Sequence, residues 1–248
     1  MYFVLLKSDE EPSVSVKAAS PITSHVSPWL ASVLYPLGRF VVLPLYFGRI
    51  KVTGQKYLPR TGPVLIAPTH RSRWDALIVP YAAGRPVTGR DLRFMVSSNE
   101  MLGIQGWFVR HFGGFPVDTT RPAIAPLRHG VELLQAGEVL VIFPEGNFFR
   151  ELQVKPLKPG LARLAIQAEA DCPGLSSKIV PMMIHYSQPF PHWGCDVSVH
   201  IGPPLEVANY CTGPVKKSAQ QLTLDLEAAL NALSSCETAN DNVAKGAV

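Results

Sequence analysis

From residue 49 onward, short apolar runs alternate with stretches whose apolar positions recur at three- and four-residue spacing. The first pattern marks a strand and the second an amphipathic helix. Strands are predicted over residues 49–53, 64–68, 93–97, 115–117, 139–143, 179–184 and 197–201, and helices over 74–83, 101–112, 123–136, 160–170 and 217–233. Such alternation predicts an α/β fold with a mostly parallel central sheet flanked by helices. The last helix is the clearest, with Leu222, Leu226, Leu230 and Leu233 on one face, and is expected to close the core. No repeat or linker interrupts residues 49–234, which read as one domain.

The flanks follow a different pattern. Residues 1–25 mix Ser, Pro, Lys and Glu without period and read as a flexible leader, and residues 235–248 as a flexible tail. The apolar stretch at the start is too short for a signal peptide. Residues 26–48 are strongly apolar but interrupted by Arg39, Pro28, Pro36 and Pro44. The charge-free pieces on either side of Arg39 each fall short of the ~20 residues of a spanning helix. Two short, proline-broken helices in the membrane interface are therefore expected, anchored by Trp29, Tyr35 and Tyr46, with a buried hairpin as the alternative.

Composition points the same way. Hydrophobic residues make up 47% and charged residues only 17%, which suggests a face that is not bathed in water. A net charge of +4 favours an anionic partner, such as a phospholipid surface or a phosphorylated substrate, but is too small to indicate nucleic acid. Cys172, Cys195, Cys211 and Cys236 form no C-x-x-C pair and read as reduced thiols on the cytoplasmic side.

Candidate chemistry begins where the run 64–68 ends, in "THRSRWD". His70 and Asp75 are five residues apart, about 140° around a helix, so they meet only if His70 lies in the turn and Asp75 in the first helical turn. Ser72 and Asp75 also form an S-x-x-D capping box, which would start the helix at Ser72 and leave His70 an ordinary loop residue. If they pair, Asp75 fixes the imidazole tautomer and His70 takes a proton from an alcohol. No nucleophile elbow, H-E-x-x-H, P-loop or dinucleotide fingerprint is present. A second cluster, "FPEGNFFR", also follows a strand. There Glu145 is placed to hold hydroxyls, and Gly146 to let a substrate approach the backbone; an ordinary turn is the alternative.

Taken together, these clusters resemble the glycerolipid acyltransferase family, specifically the 1-acylglycerol-3-phosphate acyltransferases. That family's N-H-x-x-x-x-D block is matched from His70 to Asp75, with Thr69 replacing the asparagine. "GGFPVDTTR" echoes its second block, "FPEGNFF" its third, and "KIVPMMI", centred on Pro181, its fourth. Lys158, Gly160 and Ala165 fit a further family-like stretch. The resemblance runs from about residue 49 to 205. It implies a histidine base, oriented by the aspartate, that deprotonates the acceptor hydroxyl for attack on an acyl-CoA or acyl-carrier-protein thioester, with no metal or bound cofactor. It also implies 1-acylglycerol-3-phosphate as acceptor, while the N-terminal segment and the cysteines point to a monotopic or peripheral enzyme on the cytoplasmic side of a membrane.

The departures concern basic residues. Thr119 follows Asp118 where the family has arginine, Asn147-Phe148 replaces threonine-arginine, and Ser97-Ser98 stand where relatives often have lysine. Either Arg121, Arg150 and Lys158 clamp the acceptor's phosphate from shifted positions, or the acceptor is a less phosphate-dependent lipid alcohol. A lipid esterase or thioesterase, and a silent lipid-binding relative, are the other readings. Arg71, Arg73, Arg85, Arg90 and Arg93 are expected at the surface, simply solvated or else facing headgroups or a carrier protein, and His185 is a secondary pocket candidate, with a satisfied core or edge histidine as the alternative.

Overall fold

Val64–Pro68 is buried at every position, as a strand covered on both faces must be. The computed structural model describes residue 22, residues 24–118 and residues 124–245, with side chains of the last helix described to residue 235. Among these, the strands are β1 (Ile50–Thr53), β2 (Val64–Pro68), β3 (Leu92–Ser97), β4 (Gly114–Val117), β5 (Val139–Val141), β6 (Lys178–Tyr186), β7 (Val197–Ile201) and β8 (Leu205–Glu206). They form one sheet in the order β1-β7-β6-β2-β5-β3-β4, with β8 added to β6. From β6 through β4 every pairing is parallel; β7 and β8 run antiparallel to β6, and β1 follows β7. The mostly parallel sheet expected from the alternating pattern is present. β8, two residues long, is too short to carry a period and was not anticipated.

The helices are α1 (Pro28–Leu37), α2 (Leu43–Tyr46), α3 (Asp75–Ala83), α4 (Arg85–Thr88), α5 (Gly103–His111), α6 (Ile124–Gln135), α7 (Gly160–Asp171) and α8 (Val215–Lys245). Alternation along β2 sorts the core into two layers. Leu65 and Ala67 pack with residues of α6, α7 and α8, including Leu222, Leu226 and Leu230, which close that side as expected. Val64 and Ile66 pack beneath α2 and α3 with Leu43, Ile78 and Val79. The backbone of α8 runs through Lys245, well into the stretch read as a flexible tail. No proline or glycine lies between Pro214 and Gly246 to stop it. Of the leader, residues 1–21 and 23 lie outside the described residues. Its end is pinned: Gly113 N–H donates to the His25 carbonyl, and Ser24 Oγ lies 3.0 Å from His129 Nε2.

The N-terminal segment differs from the two broken helices expected. Pro28–Tyr46 is one continuous helix, long and apolar enough by length and composition to cross a membrane. A π-helical turn at Gly38–Val42 joins α1 to α2, with Leu43 N–H reaching back to the Gly38 carbonyl. Pro36 and Pro44 each remove one backbone donor from the helix, and the wider turn lies between them. Arg39 does not break the outer face either. It turns inward, donating from Nη1 to the Tyr81 carbonyl at 2.8 Å and lying 4.6 Å over the Tyr81 ring. The outward residues Trp29, Val33, Leu37, Phe40 and Leu45 therefore form an exposed apolar stripe.

Candidate active site

Strands β2 and β5 are parallel neighbours, with Ile66 opposite Val141, so the chain leaves both at one edge of the sheet. This brings "THRSRWD" and "FPEGNFF" together although some seventy residues separate them. On the other side of β2, strand β6 pairs Met182 with Pro68 and then continues to Tyr186 beyond the end of β2. Thr69, fully buried, ties the chain to this overhang. Its N–H donates to the Met182 carbonyl at 2.9 Å, and its Oγ1 accepts from Ile184 N–H at 2.9 Å. A threonine thus holds the exit of β2 in the place of the family's asparagine.

His70 Nδ1 lies 2.8 Å from Asp75 Oδ2. The same oxygen accepts the backbone N–H groups of Arg71 at 2.6 Å and Ser72 at 2.9 Å. Because Oδ2 is an acceptor for two backbone donors, it meets Nδ1 as an acceptor too, and the ring hydrogen sits on Nδ1. In the neutral ring this leaves the lone pair on Nε2, on a side chain that is 23% exposed. The other oxygen, Oδ1, accepts from Tyr186 Oη at 2.7 Å. Asp75 has no exposed surface, so these donors replace the water it lost. Burial, and then the negative charge of Asp75, push the Tyr186 hydroxyl pKa well above the usual tyrosine range. The imidazole plane is held by Phe143, stacked at 4.1 Å between centroids, and by the edge of Phe148 at 5.9 Å.

The helix starts at Asp75 rather than Ser72. Ser72 Oγ accepts only from Trp74 N–H, at 3.3 Å, while the Asp75 carboxylate closes back on the preceding N–H groups. The carboxylate thus ties down the turn before the helix, through Arg71 and Ser72 N–H, while it pairs with His70, and no side chain caps the helix itself.

Beneath this pair lies a buried ion pair. Glu145 Oε2 accepts from His70 N–H at 2.9 Å and from Arg71 Nη1 at 2.8 Å, and Oε1 accepts from Lys155 N–H at 2.9 Å. Both side chains are almost wholly buried. The structure thus places Glu145 under the site as a clamp between the two blocks, with both oxygens engaged, rather than as an exposed holder of hydroxyls. Arg71 likewise points inward instead of meeting solvent, because a buried carboxylate needs a charged partner. Arg71 Nε has no partner among the described residues, and Arg71 lines a small cleft with Arg150, His185 and Gln188. Arg85, Arg90 and Arg93 are also engaged by the protein, with Asp91, the Gly137 carbonyl and Glu138 respectively.

The remaining candidates are placed differently from one another. Gly146 has φ +75°, and its N–H is taken by the Phe143 carbonyl at 3.2 Å, so the backbone donor expected for a substrate is already used. An added Cβ at Gly146 would lie 2.5 Å from Lys158 Cε, so the lysine chain lies across the turn. Arg150 lies 4.1 Å over the Phe190 ring and 5.7 Å from the Phe148 ring, at the rim near His70. Pro181 is buried within β6 opposite Ala67, where β6 changes partner from β8 to β7, and its carbonyl accepts Gly202 N–H. It shapes the sheet below the site. Arg121 lies outside the described residues. Among the described residues no cluster of His, Cys, Asp and Glu could hold a metal ion.

Tyr186, Thr69 and Arg71 were not picked out as parts of this site by the sequence. Tyr186 is 111 positions from Asp75, and only the overhang of β6 beyond β2 brings it there.

A family model described as Acyltransferase matches residues 49–185, more than half of the chain. Two curated proteins named 1-acyl-sn-glycerol-3-phosphate acyltransferase are similar to it. The one from Bacillus subtilis (strain 168) is 28% identical over 127 residues, covering 50% of this chain and 59% of that protein. The one from Streptococcus pneumoniae (strain ATCC BAA-255 / R6) is 25% identical over 152 residues, covering 59% of this chain and 51% of that protein. The matched part thus spans only between half and three-fifths of these relatives' length. Among solved structures, the 1-acyl-sn-glycerophosphate (LPA) acyltransferase PlsC from Thermotoga maritima shares the fold. Its TM-score is 0.57 at 17% identity, over 80% of this chain and 79% of that one.

Proposed function

Because this chain belongs to the Acyltransferase family, we propose that it moves a fatty acyl group from a thioester to the free hydroxyl of 1-acyl-sn-glycerol-3-phosphate, giving phosphatidic acid. The observation that carries this reading is His70, its Nδ1 held by buried Asp75 and its Nε2 lone pair on a partly exposed ring. The acceptor hydroxyl gives its proton to Nε2 as its oxygen attacks the thioester carbonyl carbon. The tetrahedral intermediate collapses, the C–S bond breaks, and the imidazolium returns the proton to the departing thiolate. Asp75 stabilises the imidazolium, and Tyr186 and the two backbone N–H groups hold Asp75. The nucleophile comes with the substrate.

Acyl-CoA or acyl-carrier protein serves as donor. Arg150 and Lys158, joined by Arg121, supply positive charge for the acceptor's phosphate. The helix Pro28–Tyr46 attaches the protein to the cytoplasmic face of a membrane; its exposed apolar stripe supports this.

A second reading has one observation in its favour. Phe148 stands beside His70 and Arg150 is stacked on Phe190, so the rim offers aromatic surface where a free cation would suit phosphate better. An acceptor with little dependence on phosphate would fit that rim. The test is a panel of 1-acylglycerol-3-phosphate, monoacylglycerol and other lipid alcohols with labelled acyl-CoA, analysed by mass spectrometry for new ester and for free fatty acid. His70-dependent phosphatidic acid supports the first reading, and neutral ester formed equally well supports the second. Fatty acid release without ester would identify a thioesterase and overturn both.

A further inference from the structure

We propose that α5, with the turn before it, is a second lipid-contacting surface that lies in the bilayer interface beside the N-terminal helix. This rests on the membrane reading above and extends it to a part of the chain that lies inside the catalytic domain.

Helix α5 packs inward through small contacts. Gly106 sits against the Met101 backbone, and Val109 lies over Gly114. Its outer side is apolar: Leu102 is 73% exposed and Ile104 80%, with Trp107 and Phe108 each 43% exposed. Ile104, Trp107, Phe108 and His111 recur at helical spacing and form one stripe. Trp107 stacks on His111 at 4.2 Å between centroids, and His111 Nδ1 lies 2.7 Å from the Trp107 carbonyl. Water around such a cluster is unfavourable, and a surface of this kind on a soluble protein marks a partner.

Three observations indicate that the partner is lipid. First, the stripe leads directly to the N-terminal helix. Ser27 N–H donates to the His111 carbonyl, Val26 bridges Phe112, and the Tyr35 ring packs against Phe112. Trp29, 68% exposed, lies two residues past Ser27, so the two apolar surfaces adjoin. Second, residues 28–46 and 101–117 contain no Asp or Glu and α5 carries Arg110, while Glu100, which holds Gln105, is itself paired with Arg73. That balance suits anionic headgroups. Third, the stripe pairs an aliphatic tip with Trp107 and His111 near Arg110, the mixture expected at the level of the headgroups.

The experiment uses the full chain and vesicles of phosphatidylcholine and phosphatidylglycerol whose phosphatidylcholine carries brominated acyl chains. Binding is read by flotation, and Trp107 by the difference between wild type and Trp107→Phe in bromine-quenched fluorescence. The Trp107 component should be quenched, and Leu102→Ser and Ile104→Ser should each weaken vesicle partition roughly tenfold while leaving thermal unfolding in detergent unchanged. Flotation with an unquenched Trp107 overturns this inference and leaves the membrane reading intact; a chain that does not float overturns both. A Trp107 blue shift that grows with protein concentration in the absence of lipid would assign the stripe to a second copy and overturn the inference as well.

Discussion

Replacing Asp75 by asparagine tests the site more sharply than removing the base does, because the amide is isosteric and can sit in only two ways. With its NH₂ toward His70, the amide also faces the Arg71 and Ser72 N–H groups, which now lie 2.6 and 2.9 Å from Oδ2. Two buried donors would lose their acceptor, at about 1–3 kcal/mol each. With its oxygen toward His70, the amide keeps all three donors and turns its NH₂ to the Tyr186 hydroxyl, which can rotate to accept. The second pose wins by roughly 2–6 kcal/mol on that count. The fold and the Nδ1–H tautomer therefore survive in Asp75→Asn, and what is lost is the negative charge that stabilises the imidazolium. Thiol release from acyl-CoA should show kcat lower by about 10²–10⁴, with KM for the acceptor nearly unchanged. Thermal unfolding in detergent, measured in parallel, should show a folded variant. A folded Asp75→Asn enzyme that keeps kcat within about tenfold of wild type would refute the role assigned to this charge.

Other expectations concern the supports around the pair. Glu145→Ala strips Arg71 of its buried partner and His70 N–H and Lys155 N–H of their acceptor; denaturant unfolding should show a loss of about 3–5 kcal/mol. Tyr186→Phe leaves Asp75 Oδ1 without its donor, and unfolding at neutral pH should show a loss of about 1–3 kcal/mol. The raised Tyr186 pKa also makes the folded state prefer the protonated phenol, so the stability it contributes is complete below about pH 10 and declines above it. The alkaline limb of a Tm-against-pH profile should therefore be shallower in Tyr186→Phe than in wild type. Gly146→Ala must place a side chain at positive φ and push Lys158 aside, so it should cost about 1–2 kcal/mol and raise KM for a phosphorylated acceptor more than for a neutral one.

Much of the frame was legible in the sequence. The runs 64–68 and 197–201 became β2 and β7 to the residue, because strands buried on both sides are short apolar blocks with sharp ends. The juxtaposition of His70 with "FPEG" followed from two parallel strands ending at one edge. What stayed hidden depends on tertiary geometry. Nothing local to Arg71 distinguishes it from a solvated arginine until Glu145 is placed beneath it. The S-x-x-D pattern could not tell a cap from a pairing with His70, since the same carboxylate that meets His70 also takes Ser72 N–H. The N-terminal prolines suggested a broken helix, but a π turn accommodates the chain, and the inward bond of Arg39 to Tyr81 removes the charge that seemed to interrupt it.

The overhang of β6 also sets a clock. Asp75 leaves the ribosome 111 residues before Tyr186, and His70 earlier still, an interval on the order of ten seconds at typical elongation rates. Until β6 has docked, Thr69 has no strand to hold it, and Asp75 lacks its third side of support. The nascent chain therefore carries His70 and Asp75 for more than a hundred residues of synthesis without that third support. Under the proposed mechanism, acyl transfer must wait for β6 to dock.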